Sequence, residues 1–185
     1  PKRDWSSDVC SSDLRVRAAT QARATQWTTA ELLATLPEPL LVDGWKYSAS
    51  HNSNAAIGAM SLTTWSTGAA QQAGMWFQME MPAARTVTEL QFNSPSPAGS
   101  GAAVASGGGP MVTAAGFGYP RGFKVEVSTD GTSWKSVAEA AATGNGTTVT
   151  FAPTSAKFIR VTLTASPANA PAWSMQELKV FGLKK

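Results

Sequence analysis

His51 is the only histidine in this 185-residue chain, so any imidazole chemistry must run through it. A Ser-His-Asp relay would need a carboxylate beside His51. From residue 15 onward the only aspartates are Asp43 and Asp130. Asp130 lies in an Asp-Gly turn, which leaves Asp43, and no serine has the surroundings of a nucleophile elbow. Paired carboxylates could come from Glu80, Glu89, Glu126 or Glu177. These stand singly on separate predicted strands, not as a facing acid/base couple. No phosphate loop and no dinucleotide fingerprint is present. These residue types in this pattern point away from an enzyme and towards binding.

The only cysteine, Cys10, falls in the stretch DWSSDVCSSDL, Asp4 to Leu14. Back-translated, all eleven residues resemble a common short-read sequencing adapter. Residues 1–14 are therefore expected to be disordered and foreign to the fold, and the reading frame to extend upstream. Setting them aside removes Lys2, Arg3 and three aspartates, and the formal charge rises from +3 to +4. It also removes every thiol, and with it any disulfide argument.

The elements that must position the remaining residues read as β. Charged residues are 15% of the chain, with 16 Gly and 11 Pro, a balance that suits a loop-rich β domain. No lysine/arginine cluster suggests a nucleic-acid footprint, and no apolar run reaches the length of a membrane span. GFKVEVS points Phe123, Val125 and Val127 to one face. FIRVTLT does the same with Ile159, Val161 and Leu163, TVTELQF with Leu90 and Phe92, and MWFQMEM with Met75, Phe77, Met79 and Met81. TTVTF and ELKVF supply two more strands. Asp130-Gly131 and Gly144-Asn145-Gly146 mark turns between them. Trp76, Trp134 and Trp173 read as core residues because of their large apolar surfaces. Residues 15–42 are Ala-rich and partly helical in character, a linker or the tail of an upstream domain. The Gly/Ala/Ser/Pro run over 95–118 is expected to be a disordered loop.

In order along the chain stand WKYSAS (Trp45–Ser50), TTWSTG (Thr63–Gly68), GMWFQMEM (Gly74–Met81), YPRGFKVEVSTDGTSW (Tyr119–Trp134), AKFIRVTLT (Ala156–Thr164) and WSMQELKVFG (Trp173–Gly182). Together they resemble the F5/8 type C, or discoidin-like, family, which overlaps carbohydrate-binding module family 32. The resemblance covers about residues 43–183. It implies an all-β, galactose-binding-domain-like jelly-roll sandwich that binds ligands with the loops of one rim.

It also implies a non-catalytic module, appended to a larger secreted bacterial protein and working outside the cytoplasm, in the periplasm or beyond. The expected partners are a glycan or cell-surface polysaccharide and an upstream domain of the same parent. Nucleic acid is excluded. A membrane is not expected, since only Met111 and Phe117 could serve as apolar spikes. The alternative is a structural or protein-docking module that has lost sugar recognition.

A sugar needs an aromatic face for its C–H surface and planar polar groups for its hydroxyls. The candidates near predicted loops are His51, Asn52, Trp65, Tyr119 and Arg121. Each has a structural alternative: a turn cap for His51 and Asn52, core packing for Trp65, strand opening for Tyr119, and an ion pair for Arg121. Galactose-binding relatives carry an Arg and an Asn a few residues apart before the VSxDG strand. Here the low-complexity run occupies that region.

Relatives also tend to hold one structural calcium through A-x-D-G-x-x-x-T-x-W. In this chain Gly58 takes the aspartate's place, leaving Thr63 and Glu177 as a weak donor set. No other cofactor is expected.

Overall fold

The computed structural model describes residues 36–96 and 116–183. The adapter-like stretch, residues 15–35, Met111 and most of the low-complexity run lie outside them. Among the described residues eight strands follow in chain order: β1 (Glu38–Pro39), β2 (Lys46–Ala49), β3 (Trp65–Ala70), β4 (Trp76–Asn93), β5 (Phe123–Ser128), β6 (Lys135–Ala140), β7 (Gly146–Leu163) and β8 (Ala172–Gly182). A 3₁₀ helix, Ser53–Met60, links β2 to β3. All pairings are antiparallel.

The predicted alternation holds. Phe77, Met79, Met81, Leu90, Phe92, Phe123, Val125, Val127, Ile159, Val161 and Leu163 are all buried. What the alternation does not show is that four of the predicted strands are two. MWFQMEM and TVTELQF are the two halves of β4, and TTVTF and FIRVTLT are the two halves of β7. The β4/β7 register breaks between Glu80 and Arg85, where Pro82 sits, and again between Val87 and Glu89. Proline lacks the N–H a ladder needs, so it is tolerated at such a bulge.

This corner divides the molecule into two layers. The first half of β4 pairs with β2 and with the second half of β7, which continues through β5 to β6. The second half pairs with the first half of β7 and with β8, which also carries β1 and β3. The result is an antiparallel jelly-roll sandwich. Its sheet begins at β1, ahead of Asp43.

Aromatic rings join the layers. The Trp65 indole of β3 meets Phe77 of β4 edge-on at 4.9 Å and Trp173 of β8 at 5.1 Å. Trp173 is thus a core residue, as its size suggests. Trp76 and Trp134 are not. Both are half-buried on the outer face of the β4–β7–β5 layer.

The β5–β6 turn forms as its sequence dictates. The Asp130 carboxylate accepts the N–H groups of Thr132 and Ser133 at 2.7 Å each and the Ser128 hydroxyl at 2.9 Å. Gly131 supplies the positive φ, +79°. The Ser133 and Thr132 N–H bonds hold the Asp130 carboxyl well below the usual carboxylate range.

Candidate functional site

Strand register gathers several loops at one end of the sandwich. The end of β2 meets the start of β4, Ala49 opposite Phe77, and the end of β7 meets the start of β5, Leu163 opposite Phe123. The end of β3 meets the start of β8, Ala70 opposite Ala172. The rim is therefore built from residues 50–52, 71–75, 116–122 and 164–171.

The first strip leaves β2 through Ser50. The Ser50 hydroxyl accepts the Trp76 N–H at 3.0 Å, donates to the Trp76 carbonyl at 3.3 Å and lies 3.0 Å from His51 Nδ1. Asn52 turns the chain with left-handed backbone, φ 49°, a conformation asparagine tolerates better than most residues. Its side-chain amide donates to the Ser66 carbonyl at 2.8 Å. Below them, Trp65 Nε1 donates to the His51 carbonyl at 3.2 Å. Trp65 has no exposed surface, so it supports this strip from beneath and presents no face to a ligand. That corrects the expectation of Trp65 as a stacking platform.

The second strip centres on Gln71, a residue that sequence reasoning misses. It is buried, and its amide reaches two neighbouring loops with three bonds. Nε2 donates to the Tyr119 carbonyl at 2.8 Å and the Pro171 carbonyl at 3.2 Å, while Oε1 accepts the Arg121 N–H at 3.1 Å. A buried amide with all its groups satisfied stiffens what it joins. Nothing in GAAQQAG distinguishes Gln71 from Gln72; only burial does.

The third strip carries Tyr119 and Arg121. The guanidinium carbon lies 3.3 Å above the Tyr119 ring centroid, and Nη2 donates to the Phe117 carbonyl at 3.4 Å. Burial pulls the Arg121 pKa down from its ordinary value. Tyr119 is 9% exposed, because the arginine covers it. The strip is pinned to β8 by Ser174 N–H donating to the Gly118 carbonyl at 3.0 Å, and to the β7–β8 loop by Thr164 N–H donating to that of Gly122 at 2.9 Å. Phe117 is half-buried.

Four of the five candidates, His51, Asn52, Tyr119 and Arg121, thus share one rim, and Trp65 lies under it. The rim offers an imidazole, a guanidinium, the exposed carboxamides of Asn52, Gln72 and Asn169, and backbone groups. It offers no carboxylate to orient His51: Asp43 precedes the whole of β2, at its other end. This set can hold hydroxyls, but it lacks the parts of a charge relay.

The calcium donors do not fit that ion. The Glu177 N–H donates to the Ser61 carbonyl at 3.1 Å, which brings Glu177 beside the Gly58–Thr63 loop. Its carboxylate, however, accepts the Asn93 side-chain amide at 2.7 Å. Gly58 provides no side-chain oxygen where an aspartate is wanted, and its carbonyl already accepts the Ser61 N–H at 3.3 Å. Calcium takes six to eight oxygens, with carboxylates carrying most of the charge. Among the described residues no three His, Cys, Asp or Glu side chains converge. Adding EDTA, or excess Ca²⁺, is therefore expected to leave the melting temperature unchanged. A rise with calcium, as ligand binding to the folded state requires, would contradict this.

Residues 112–178 match the family model of the F5/8 type C domain. No curated protein matches the chain. Solved structures share its fold. One is the module CpGH89CBM32-5 from Clostridium perfringens, in complex with GalNAc-β-1,3-galactose. It has a TM-score of 0.58 at 18% identity, over 78% of this chain and 100% of that one. Another is the family 32 module of C. perfringens NanJ with galactose, at 0.55 and 20%, over 79% and 99%. A third is chitosan-binding module 2, with chitotriose, from a chitosanase/glucanase of Paenibacillus sp. IK-5, at 0.54 and 21%, over 74% and 95%.

Proposed function

We propose that this chain, with its F5/8 type C match and the jelly-roll fold of family 32 modules, is a non-catalytic carbohydrate-binding module. In this reading it tethers a larger secreted bacterial protein to a glycan or cell-surface polysaccharide, with its upstream domain as the working partner. The observation that carries the reading is the Tyr119–Arg121–Gln71 cluster on the same rim as His51 and Asn52. The buried Gln71 amide fixes the Arg121 backbone, and the Tyr119 ring and the Phe117 carbonyl hold its guanidinium before any ligand arrives; preorganised polar groups bind hydroxyls without a further ordering cost. The rim's lack of a base–carboxylate couple favours binding over turnover.

A second reading, a docking or structural module that has lost sugar recognition, rests on one feature. Arg121 covers the Tyr119 ring, so no broad aromatic face is presented among the described rim residues. A glycan array with the intact chain, followed by titration of its best ligand, separates the two. Under the first reading Arg121→Ala and His51→Ala each weaken that ligand by about tenfold, the equivalent of one good polar contact. An array without a binder, or a ligand indifferent to both variants, sinks it and leaves the docking module.

A further inference from the structure

The outer face of the β4–β7–β5 layer carries an arrangement that neither the rim nor the core uses. Trp76, Gln78 and Glu80 alternate with buried Phe77, Met79 and Met81, so all three point outward. Arg160 and Thr162 do so on β7, between buried Ile159, Val161 and Leu163. Register sets Arg160 between Gln78 on one side and Glu126 on the other. Its guanidinium carbon lies 3.9 Å from the Trp134 ring centroid and 5.2 Å from that of Trp76. Trp134 is itself held edge-on against Phe158 at 6.4 Å. Two indoles thus flank one arginine on an open sheet face.

The charges on this face do not balance. Of its carboxylates, Glu126 is engaged by Lys124 at 2.7 Å and the Thr162 hydroxyl at 2.9 Å, Glu80 by Lys157 at 3.3 Å, and Glu139 on β6 stands opposite Lys124. Arg160 donates from Nε and Nη2 to a neutral acceptor, Gln78 Oε1, at 3.1 and 2.7 Å. No carboxylate among the described residues pairs with it. A guanidinium flanked by aromatic rings is partly shielded from water, which strengthens its attraction for an incoming anion. Its planar fork suits a carboxylate in particular.

We infer that this face is a second carbohydrate site, separate from the rim, for a polysaccharide containing uronic acid. Arg160 takes a sugar carboxylate, and Trp76 and Trp134 offer apolar surface to the rings on either side of it. Gln78 locks the guanidinium in position, and Trp134, through Phe158, is fixed to β7. The site stands on residues the rim reading does not use, so either can fail alone.

The test is affinity electrophoresis and calorimetry of the full chain with polygalacturonate, using a neutral galactan as the second probe, at low and moderate salt. Arg160→Gln and Trp134→Ala are each expected to weaken polygalacturonate binding by roughly tenfold, the loss of one charge-assisted or stacking contact. Arg160→Lys, which keeps the charge but not the fork, should recover only part. Arg121→Ala at the rim and Lys179→Gln, an exposed charge on β8, should leave the polygalacturonate affinity unchanged, and melting temperatures certify the fold of each variant. If the unmodified chain does not bind polygalacturonate, if Arg160→Gln binds as well as it does, or if Lys179→Gln loses as much as Arg160→Gln, the inference is overturned. Binding of the galactan, weakened by Arg121→Ala and His51→Ala but not by Arg160→Gln, would uphold the rim reading through any of those results.

Discussion

Trp65→Ala is expected to cost about 3–5 kcal/mol, the range for truncating a fully buried large aromatic. The indole has no exposed surface and meets Phe77 and Trp173 at 4.9 and 5.1 Å, so it packs β3 and β8 of one layer against the first half of β4 in the other. Removing it opens a cavity between two layers that cannot close without moving strands. The loss is of the order of a small domain's whole stability. Chemical denaturation followed by tryptophan fluorescence measures it. Trp65→Phe separates the two roles of the indole. It keeps much of the volume but deletes the Nε1–H bond to the His51 carbonyl, so it should be the milder change in stability yet still loosen the strip that carries His51 and Asn52. If Trp65→Ala melts like the parent chain, the arrangement of the core described above is wrong.

Gly118→Ala should harm the rim most for the smallest chemical change. A Cβ on Gly118 would run into the Ser174 hydroxyl oxygen and lie 2.7 Å from the Ala172 carbonyl oxygen. The carbonyl belongs to the backbone of β8 and cannot swing aside. The strip from Phe117 to Arg121 must therefore lift from β8, at a cost of about 1–3 kcal/mol, as for other overpacked sites. Lifting it strains the Ser174 N–H bond to the Gly118 carbonyl and the Gln71 bonds to Tyr119 and Arg121. The expected result is a lowered melting temperature together with loss of whatever glycan the rim holds. Gly144→Ala is the control, since nothing lies within 4 Å of its Cβ, and it should be silent in both measurements. Equal behaviour of the two variants would show that the 116–122 strip is not held as described.

How far the sequence could be read differs from residue to residue. Period-two alternation is a local property, and it assigned Phe77, Ile159 and Val125 to the inner face without help. The same alternation already places Trp76 outward, one step from Phe77, although the bulk of an indole argues for the core. The register settles it, because Trp76 falls opposite Thr162 on the open face. Trp134 has no such warning; it follows a turn, where alternation gives no phase. Trp65 stands near a predicted loop although its size favours the core, and its packing against the opposite layer decides for the core. The join of MWFQMEM to TVTELQF was hidden by Pro82, which reads as a stop and is instead a corner.

The candidate site divides in the same way. His51, Asn52, Tyr119 and Arg121 could be singled out by residue type and by their place near predicted loops. Gln71 could not, because its importance comes from three partners up to a hundred residues away.

What the sequence determined by itself was whatever depends on composition and short spacing: strand faces, the Asp130-Gly131 turn and the poverty of catalytic groups. What only the tertiary structure decided was which loops meet at one rim, that Gln71 ties them, and that Arg160 lies between two indoles on an open sheet. The physical reason is that strand register and the bends of β4 and β7 are set by contacts distant in the chain. A side chain's partners follow from that register, and no local pattern records it.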